Sequence, residues 1–148
     1  MDKNVDKNPG LMKVYRLAQD SIIPTRSTRG SAGYDLYAAH DAIIKPGDQA
    51  CVKTNLVIEL PNGCYGRIAG RSSVALKQVH TVAGVIDNDF RGNISIMLQN
   101  NGKTDYEIRQ FDKIAQLICE RHLLPTVVEV LDISTTERMD KGFGSSGR

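Results

Sequence analysis

Residues 70–73 carry side chains that could hold a phosphate. They read Gly70-Arg71-Ser72-Ser73, and we predict a short helix at Ser73–Gln78, with Ser72 or Ser73 capping its first turn. Helix N-termini favour bound anions, and an arginine with two hydroxyls supplies further donors. The same run is also typical of an ordinary surface turn. It is therefore a candidate phosphate cradle, and these four residues alone leave both interpretations open.

A second segment places acids directly after two apolar β-branched residues. It reads Gly84-Val85-Ile86-Asp87-Asn88-Asp89-Phe90. Aspartate and asparagine favour a hairpin turn, which they stabilise by bonding their own backbone. Alternatively, the Asp87 carboxylate points into a pocket and polarises a water molecule. Gly84 would let the backbone approach a ligand closely.

Asp35 lies in a strand-like stretch between Tyr34 and Tyr37. A carboxylate that points inward from a strand is costly to bury unless it is paired. A salt bridge is one solution. A position near a divalent cation is another, because Mg²⁺ keeps several waters and binds largely through substrate phosphates, so that one nearby carboxylate suffices.

The last eleven residues, 138–148, differ in kind from the rest of the chain. They read RMDKGFGSSGR, and such a glycine-rich segment buries too little area to fold alone. It is either a frayed terminus or a lid. In a lid, glycines approach phosphate oxygens, Arg138 supplies a guanidinium, and Phe143 offers a flat face to a base.

These residues must be positioned by short strands. Ile94, Ile96 and Leu98 alternate with polar residues, which is the period of a half-buried strand. Similar runs occur at 50–60 and 127–131, with turn signals such as Pro61-Asn62-Gly63 between them. The pattern predicts an all-β sandwich or barrel. The stretch 109–121 fits a helix and a strand equally well.

Composition limits the function. The chain has 148 residues, 41% of them hydrophobic, and a net charge of +2, which indicates one folded domain and excludes general disorder. The small charge disfavours nucleic-acid binding, and no apolar run is long enough to span a membrane. Three dispersed cysteines indicate buried or half-buried thiols in a reducing compartment. With no targeting signal seen, we expect a cytoplasmic or nuclear protein, and a viral source also fits.

Five segments, taken together and in this order, resemble the five motifs of the homotrimeric dUTPase family, the deoxyuridine triphosphate nucleotidohydrolases. They are AGYDLYAA at 32–39, GRIAGRSSVALK at 66–77, GVIDNDFRGNI at 84–94, FDKIAQLI at 111–118 and RMDKGFGSSGR at 138–148. Each segment alone is a weak match. Five in order, ending in GFGSSG, make a specific one that covers almost the whole chain.

The resemblance implies an all-β, jelly-roll-like barrel or sandwich with one short helix, and it favours strand over helix at 109–121. Residues 1–12 are polar, with Pro9-Gly10 near their end, and we expect a flexible lead there. The resemblance adds a β domain at 13–137 and a glycine-rich lid at 138–148. It implies a homotrimer with shared active sites that hydrolyses dUTP to dUMP and diphosphate with Mg²⁺. Such an enzyme keeps uracil out of DNA and supplies dUMP for dTMP synthesis.

The resemblance also assigns roles. Asp87 would activate the water that attacks the α-phosphorus, and Phe90 would pack on the deoxyribose. The hairpin that reads uracil through its backbone comprises Gly84, Val85, Ile86, Asp87, Asn88, Asp89 and Phe90. The phosphate contacts would be Arg71, Ser72, Ser73, Gln116 and Arg138. Asp35 would touch magnesium through water. In the lid, Phe143 would stack on uracil while Gly144, Ser145 and Ser146 close over the triphosphate.

This chain departs from the family pattern at five positions. Gly70 stands where proline is usual, Ser73 where glycine is usual, and Phe90 where tyrosine is usual, while Met139 and Lys141 replace glycines of the lid. None of these removes a charge that the chemistry requires.

Three other functions fit the sequence less well. A deoxycytidine triphosphate deaminase of the same fold needs a glutamate where Met97 stands, and its additional arginine aligns with Leu76. A non-catalytic nucleotide-sensing trimer would need no water-activating acid. A structural or lectin module would leave the phosphate-binding residues as coincidence.

Overall fold

The structure, a computed structural model, describes residues 10–142. Short strands dominate it, and the only helix of this range has four residues. The strands are β1 (Lys13–Arg16), β2 (Tyr34–Tyr37), β3 (Ala42–Ile44), β4 (Gln49–Lys53), β5 (Leu56–Glu59), β6 (Cys64–Ala69), β7 (Val79–Val82), β8 (Val85–Ile86), β9 (Ser95–Asn100), β10 (Tyr106–Ile108) and β11 (Lys113–Arg121), and the helix is α1 (Ser72–Ala75). The predicted all-β fold with one short helix is confirmed.

Backbone pairing joins these strands into antiparallel sheets. The largest has the order β2-β11-β6-β8, and a three-stranded sheet has the order β4-β9-β7. Two strand pairs, β1-β5 and β10-β3, complete the set for residues 10–142. Over that range the sheets do not join into one closed barrel. Of the barrel and the sandwich expected, the open, sandwich-like form of the jelly roll therefore describes the fold.

Strand β9 shows how the alternating sequence builds the core. Ile96, Leu98 and Asn100 are buried, and the residues between them are half-buried. Burying each large aliphatic side chain contributes about 1.5–3 kcal/mol. Asn100 can share this face because its amide donates to the carbonyl oxygens of Ile44 and Thr104, both at 2.8 Å. Its polar atoms are thus satisfied inside the core.

Strand β11 settles the stretch that was ambiguous in the sequence. It pairs with β2 on one edge and β6 on the other, and its register against β2 shifts between Lys113 and Ala115. This irregularity places Ile114 and Ala115 side by side in the core. Two consecutive buried residues imitate a helical pattern, but the helix alternative is wrong, because pairing on both edges satisfies the backbone as strand.

Helix α1 is shorter than predicted and begins differently. It spans Ser72–Ala75, and its N-cap is Arg71, in extended conformation, with no side-chain capping bond. The expected serine cap is therefore wrong. Val74 is the residue that α1 buries, so the helix holds its place by packing one side chain into the core.

The chain after β11 leaves the fold as an exposed arm, which we define as residues 122–142. It contains no strand or helix in this range, so the strand expected at 127–131 is absent from the single chain. Its apolar residues are nevertheless large. Leu123 is 91% exposed and Val127 is 94% exposed. An arm of this composition is normally covered by something, because exposed apolar area of this extent is costly in water.

The cysteines agree with the prediction at two positions. Cys64 is buried and Cys119 is half-buried, whereas Cys51 is exposed and contradicts it. Burial, with Cys64 adjacent, raises the pKa of the Cys119 thiol to about 11, so this thiol is protonated at neutral pH. Among the residues described, no helix has the length and apolar character needed to cross a membrane.

Candidate active site

Arg71 stands at the end of β6, beside the point where β2 and β11 run together. Its Nε lies 3.2 Å from Oδ1 of Asp35 on β2. Its Nη1 donates to the carbonyl oxygen of Lys113 at 3.1 Å and lies 3.5 Å from Oγ of Ser73. The guanidinium is thus held by three elements at once, and the hydroxyls of Ser72 and Ser73 are exposed beside it. The structure places these three predicted phosphate contacts together.

Asp35 is buried, with 7% of its surface exposed, and it is paired. Besides Arg71, its carboxylate meets Nζ of Lys113 at 3.3 Å and accepts a hydrogen bond from Oγ of Ser27 at 3.3 Å. Of the two solutions expected for a buried Asp35, the structure therefore contains the salt bridge. Two cations around one carboxylate leave an excess positive charge at this end of the sheet, which suits a phosphate.

The side chain of Gln116 lies in the same place. Its Nε2 donates to the carbonyl oxygen of Gly70 at 2.9 Å. Gly33 makes room for it, since a Cβ at Gly33 would overlap Oε1 of Gln116. We define Asp35, Arg71, Ser72, Ser73 and Gln116 as the cradle. Gly33 and Lys113 lie next to the cradle, and the sequence analysis did not single them out. Their only signal in the sequence was that Gly33 lies in the first segment of the resemblance and Lys113 in the fourth.

The cradle contains one group that could contact a metal ion, the Asp35 carboxylate. Within residues 10–142, no group of three or more His, Cys, Asp or Glu side chains could hold a metal ion. Asp35 is a lone carboxylate, but a carboxylate has about four acceptor positions, and Arg71, Lys113 and Ser27 use three of them. The arrangement therefore fits a contact through water to a Mg²⁺ ion that substrate phosphates carry, and not a cage of protein ligands.

The second candidate segment forms a hairpin against β6. Its first strand, β8, pairs Ile86 with Gly66, and the tip closes through a hydrogen bond from the Phe90 amide to the Asp87 carbonyl at 3.0 Å. Gly84 has a φ of 106°, and its carbonyl accepts from the Ile68 amide at 2.7 Å. A Cβ at Gly84 would lie 2.7 Å from the carbonyl oxygen of Ile68. Only glycine fits there.

The tip of this hairpin is tied to the β5–β6 turn by Asn88. Its Nδ2 donates to the carbonyl oxygens of Pro61 at 2.9 Å and Cys64 at 2.8 Å. The side chain therefore faces the turn, and only the backbone of Asn88 remains for a ligand. This tether was missed from the sequence, because its partners lie more than twenty positions away.

The side chains that flank Asn88 are open to solvent. Asp87 and Asp89 are exposed, and Phe90 is 42% exposed. Among the described residues, no side chain pairs with the Asp87 carboxylate. An unpaired carboxylate at a firmly held tip is free to accept a proton from water.

One chain does not bring the two groups together. Ile86 lies opposite Gly66, so Asp87 continues toward the first residue of β6, whereas Arg71 follows its last. Gly66 and Arg71 are five positions apart, which corresponds to about 16 Å of extended chain. The cradle and the Asp87 carboxylate therefore stand at opposite ends of β6.

Comparison with known proteins now identifies the family. The family model described as dUTPase matches residues 19–147. The chain belongs to the dUTPase family. It is 49% identical over 138 residues to the human mitochondrial deoxyuridine 5'-triphosphate nucleotidohydrolase, a match that covers 93% of this chain and 55% of the human protein. It therefore spans little more than half of that relative's length.

Two further relatives bear on dUTPase structure. The deoxyuridine 5'-triphosphate nucleotidohydrolase of vaccinia virus, strain Copenhagen, is 48% identical over 124 residues, 84% of each protein. The solved dUTPase of Staphylococcus bacteriophage 80alpha with dUpNHpp superposes with a TM-score of 0.88 at 27% identity, covering 93% of this chain and 99% of that one. The jelly-roll-like dUTPase fold inferred from the sequence is thus confirmed.

The last dUTPase motif and the position that would distinguish a deaminase remain to be placed. In the exposed arm, Arg138 lies in a turn in which its carbonyl accepts from the Lys141 amide at 3.1 Å. The predicted lid residues Phe143, Gly144, Ser145 and Ser146 lie outside the described residues. On β9, the position at which a deaminase would need its glutamate is Met97, flanked by the buried Ile96 and Leu98.

Proposed function

We propose that this protein hydrolyses dUTP to dUMP and diphosphate. In this role it keeps uracil out of DNA and supplies dUMP for dTMP synthesis. Family membership over most of the chain supports the proposal. The observation that carries it is the contrast between the two acids. Asp35 is locked in ion pairs beside the arginine of the cradle, whereas Asp87 is unpaired at the hairpin tip.

The chemistry follows from these positions. The Asp87 carboxylate accepts a proton from a water molecule as the water oxygen bonds to the α-phosphorus. The bond from that phosphorus to the bridging oxygen breaks, and diphosphate leaves with the electron pair. Arg71 and Gln116 donate to phosphate oxygens whose charge grows in the transition state. The work of the protein is therefore positioning and charge stabilisation.

Magnesium belongs to this proposal as a companion of the triphosphate. When bound, Mg²⁺ supplies positive charge against the phosphate oxygens, and Asp35 would hold it through water. The protein's own contribution is a buried carboxylate paired with Arg71 and Lys113.

Substrate selection is assigned to the hairpin. Backbone groups from Gly84 to Phe90 read the uracil ring. The Asn88 side chain fixes the tip of the hairpin, so that the backbone of Asn88 is left for the ligand. A closely fitting hairpin excludes the 5-methyl group of thymine and mismatches the donors of cytosine. The Phe90 ring packs on the deoxyribose, where a 2'-hydroxyl would collide.

We propose a homotrimer in which each active site takes its cradle and its hairpin from different chains. Two observations support this. The groups lie at opposite ends of β6 in one chain, and the exposed arm offers apolar side chains that need a cover. A neighbouring copy satisfies both, since it brings a second hairpin to the cradle and a surface to the arm.

We also propose three regions along the chain, with a lead at 1–12, the β domain at 13–137 and a lid at 138–148. Strand β1 begins at Lys13, and the chain is exposed from 138 to 142. In the lid, Arg138 meets the γ-phosphate and Phe143 stacks on uracil. We place the protein in the cytoplasm or nucleus, where deoxynucleotides serve DNA synthesis, and a viral source is consistent with the virus-encoded relatives.

The deciding experiment is a diphosphate-release assay with dUTP, dCTP, dTTP and UTP, each with and without Mg²⁺. We expect release from dUTP alone at physiological concentrations, and strong dependence on Mg²⁺. Tight binding of dUTP without diphosphate release would overturn the proposal and indicate a nucleotide sensor. Ammonia release from dCTP would indicate a deaminase instead.

A further inference from the structure

The backbone that carries Phe90 is fixed from two sides. Its amide donates to the Asp87 carbonyl at 3.0 Å, and its carbonyl accepts from Nη1 of Arg91 at 3.0 Å. The same Nη1 also donates to the Asn88 carbonyl at 2.8 Å. With the backbone held, the position of the Phe90 ring depends only on side-chain torsions and on what the ring packs against.

The ring packs against Gly92. A Cβ built on Gly92 would lie 2.5 Å from Cζ of Phe90, 2.9 Å from Cε2 and 3.2 Å from Cε1. Real Cβ atoms essentially never approach a carbon so closely, so the ring occupies space that any other residue at this position would fill. Because the ring is still 42% exposed, the side turned away from Gly92 remains available to a ligand.

Gly92 is not required by its backbone conformation. Its φ lies outside the left-handed range, unlike that of Gly84. An alanine could therefore adopt the local backbone, and its only conflict would be with the far end of the Phe90 ring. An exposed ring on two torsions can move aside, so we expect the substitution to displace the ring and leave the fold intact.

We propose that Gly92 is a positioning residue for sugar selection, acting through the Phe90 ring. This rests on the proposed function, in which that ring packs on the deoxyribose and excludes a 2'-hydroxyl. The absent side chain of Gly92 lets the far end of the ring lie close to the Gly92 backbone, and this position of the ring sets the space left for the sugar. A ring pushed outward would obstruct the deoxyribose and lose its close fit at the 2' carbon.

The test is a double-mutant cycle on the whole protein with Gly92→Ala, Phe90→Ala and the double variant. Binding of dUpNHpp and of its ribose counterpart UpNHpp is measured by titration calorimetry, so the readout does not require turnover. We expect Gly92→Ala to reduce the preference for the deoxy form by about tenfold, since a misplaced contact of about 1 Å has effects of that size or more. In the Phe90→Ala background the same change should have no further effect.

Gly30→Ala is the matched control, because a Cβ there meets nothing within 4 Å and its φ is also outside the left-handed range. Circular dichroism and thermal unfolding check that each variant folds. An unchanged sugar preference in Gly92→Ala, or an equal loss in the Phe90→Ala background, would overturn the inference. Failure of the proposed function would look different, since the unaltered protein would then bind neither analogue or release no diphosphate from dUTP.

Discussion

At the scale of single residues, two aspartates of this chain have been given opposite surroundings. Asp35 is buried and meets Arg71, Lys113 and Ser27, whereas Asp87 is exposed and meets no side chain of the described part. Pairing holds a carboxylate in place but leaves it fewer acceptor positions, while exposure does the reverse. In the proposed function, the same residue type would therefore serve as an anchor at Asp35 and as a base at Asp87.

Replacement of Asp87 by asparagine tests the second of these roles. The side chain keeps its size but can no longer accept the proton from water, so we expect turnover of dUTP to fall by about 10²- to 10⁴-fold. Binding of dUpNHpp should stay within a few-fold, because no hydrogen bond of the hairpin uses this carboxylate. Diphosphate release and calorimetry measure the two quantities.

The control for this variant is Asp48→Asn, which changes an exposed acid in the turn between β3 and β4. It should turn over dUTP as the unaltered protein does. Near-normal turnover by Asp87→Asn would show that another group activates the water.

Residue types and spacing pointed to Arg71 and Asp87 as candidates, and the family resemblance added Gln116. The structure brings Arg71 and Gln116 together in the cradle, and their roles stay predictions. The long-range contacts around the candidate site were not predicted, because Lys113 reaches Asp35 across 78 positions and Asn88 reaches Pro61 across 27. Contacts of this kind depend on which strands pair and in which register, and no local pattern specifies that.

At the scale of elements, the dependence on long-range strand pairing also determines which strands could be predicted from the sequence. Strand β9 was read correctly because its alternation is regular. Strand β11 was ambiguous because its register shift places Ile114 and Ala115 together in the core, and α1 was misjudged because packing of Val74, rather than a serine cap, holds it. A regular element can be predicted from its local sequence, whereas the conformation of an irregular element depends on the elements that pack against it.

The two hydrogen bonds of the Asn88 side chain should contribute to both the stability of the fold and the affinity for the substrate. Asn88→Ala removes two hydrogen bonds to backbone carbonyls, each contributing about 0.5–1.5 kcal/mol. We expect the free energy of unfolding to fall by about 1–3 kcal/mol and the affinity for dUpNHpp to weaken, because the tip is no longer fixed on the β5–β6 turn. Urea unfolding and calorimetry measure these effects.

Asn88→Asp sharpens this test, since the side chain keeps its shape but has no N–H to donate. It should be at least as damaging as alanine, because its carboxylate would face the carbonyl oxygens of Pro61 and Cys64. Affinity unchanged in both variants would mean that the tether has no part in substrate binding.

Strands β6 and β11 are linked by a cluster with a testable pH response. Tyr65 Oη and Arg67 Nε each donate to the Glu120 carboxylate at 2.6 Å. These two hydrogen bonds, from Tyr65 first and then Arg67, lower the pKa of Glu120 below its ordinary value of 4.5. The unfolded chain then binds the proton more readily than the folded one. The stabilisation is therefore complete above pH 4.5 and is lost as the pH falls through the lower, folded-state pKa.

Glu120→Gln should flatten this response. As the pH is lowered below 4.5, the midpoint of thermal unfolding should fall less in this variant than in the unaltered protein. Glu107→Gln, which removes an exposed carboxylate that has no ion pair in the described part of the chain, should follow the unaltered protein. Parallel curves for all three proteins would show that Glu120 adds no stability.

At the scale of the whole molecule, the chain has a core of its own, and we propose that it shares its active site with other copies. Its sheets bury a continuous set of aliphatic side chains, yet they hold the cradle and Asp87 at opposite ends of β6. The exposed arm leaves the fold with apolar side chains uncovered. Composition indicated one self-sufficient domain, because composition does not specify where two groups lie along a strand.

Sharing of sites between chains makes a prediction that no single-chain enzyme would meet. Asp87→Asn and Arg71→Ala should each be nearly inactive as pure proteins, and light scattering should report three chains in each. When the two are unfolded, mixed in equal amounts and refolded together, some sites join an intact Asp87 from one chain to an intact Arg71 from another. Random assembly gives this combination at about one quarter of the sites, so diphosphate release should recover to about that fraction of the unaltered rate. A mixture of Asp87→Asn with the double variant contains no intact Asp87 and should stay inactive. If the first mixture also stays inactive although the trimers have exchanged chains, each site is built within one chain, and the shared-site arrangement is wrong.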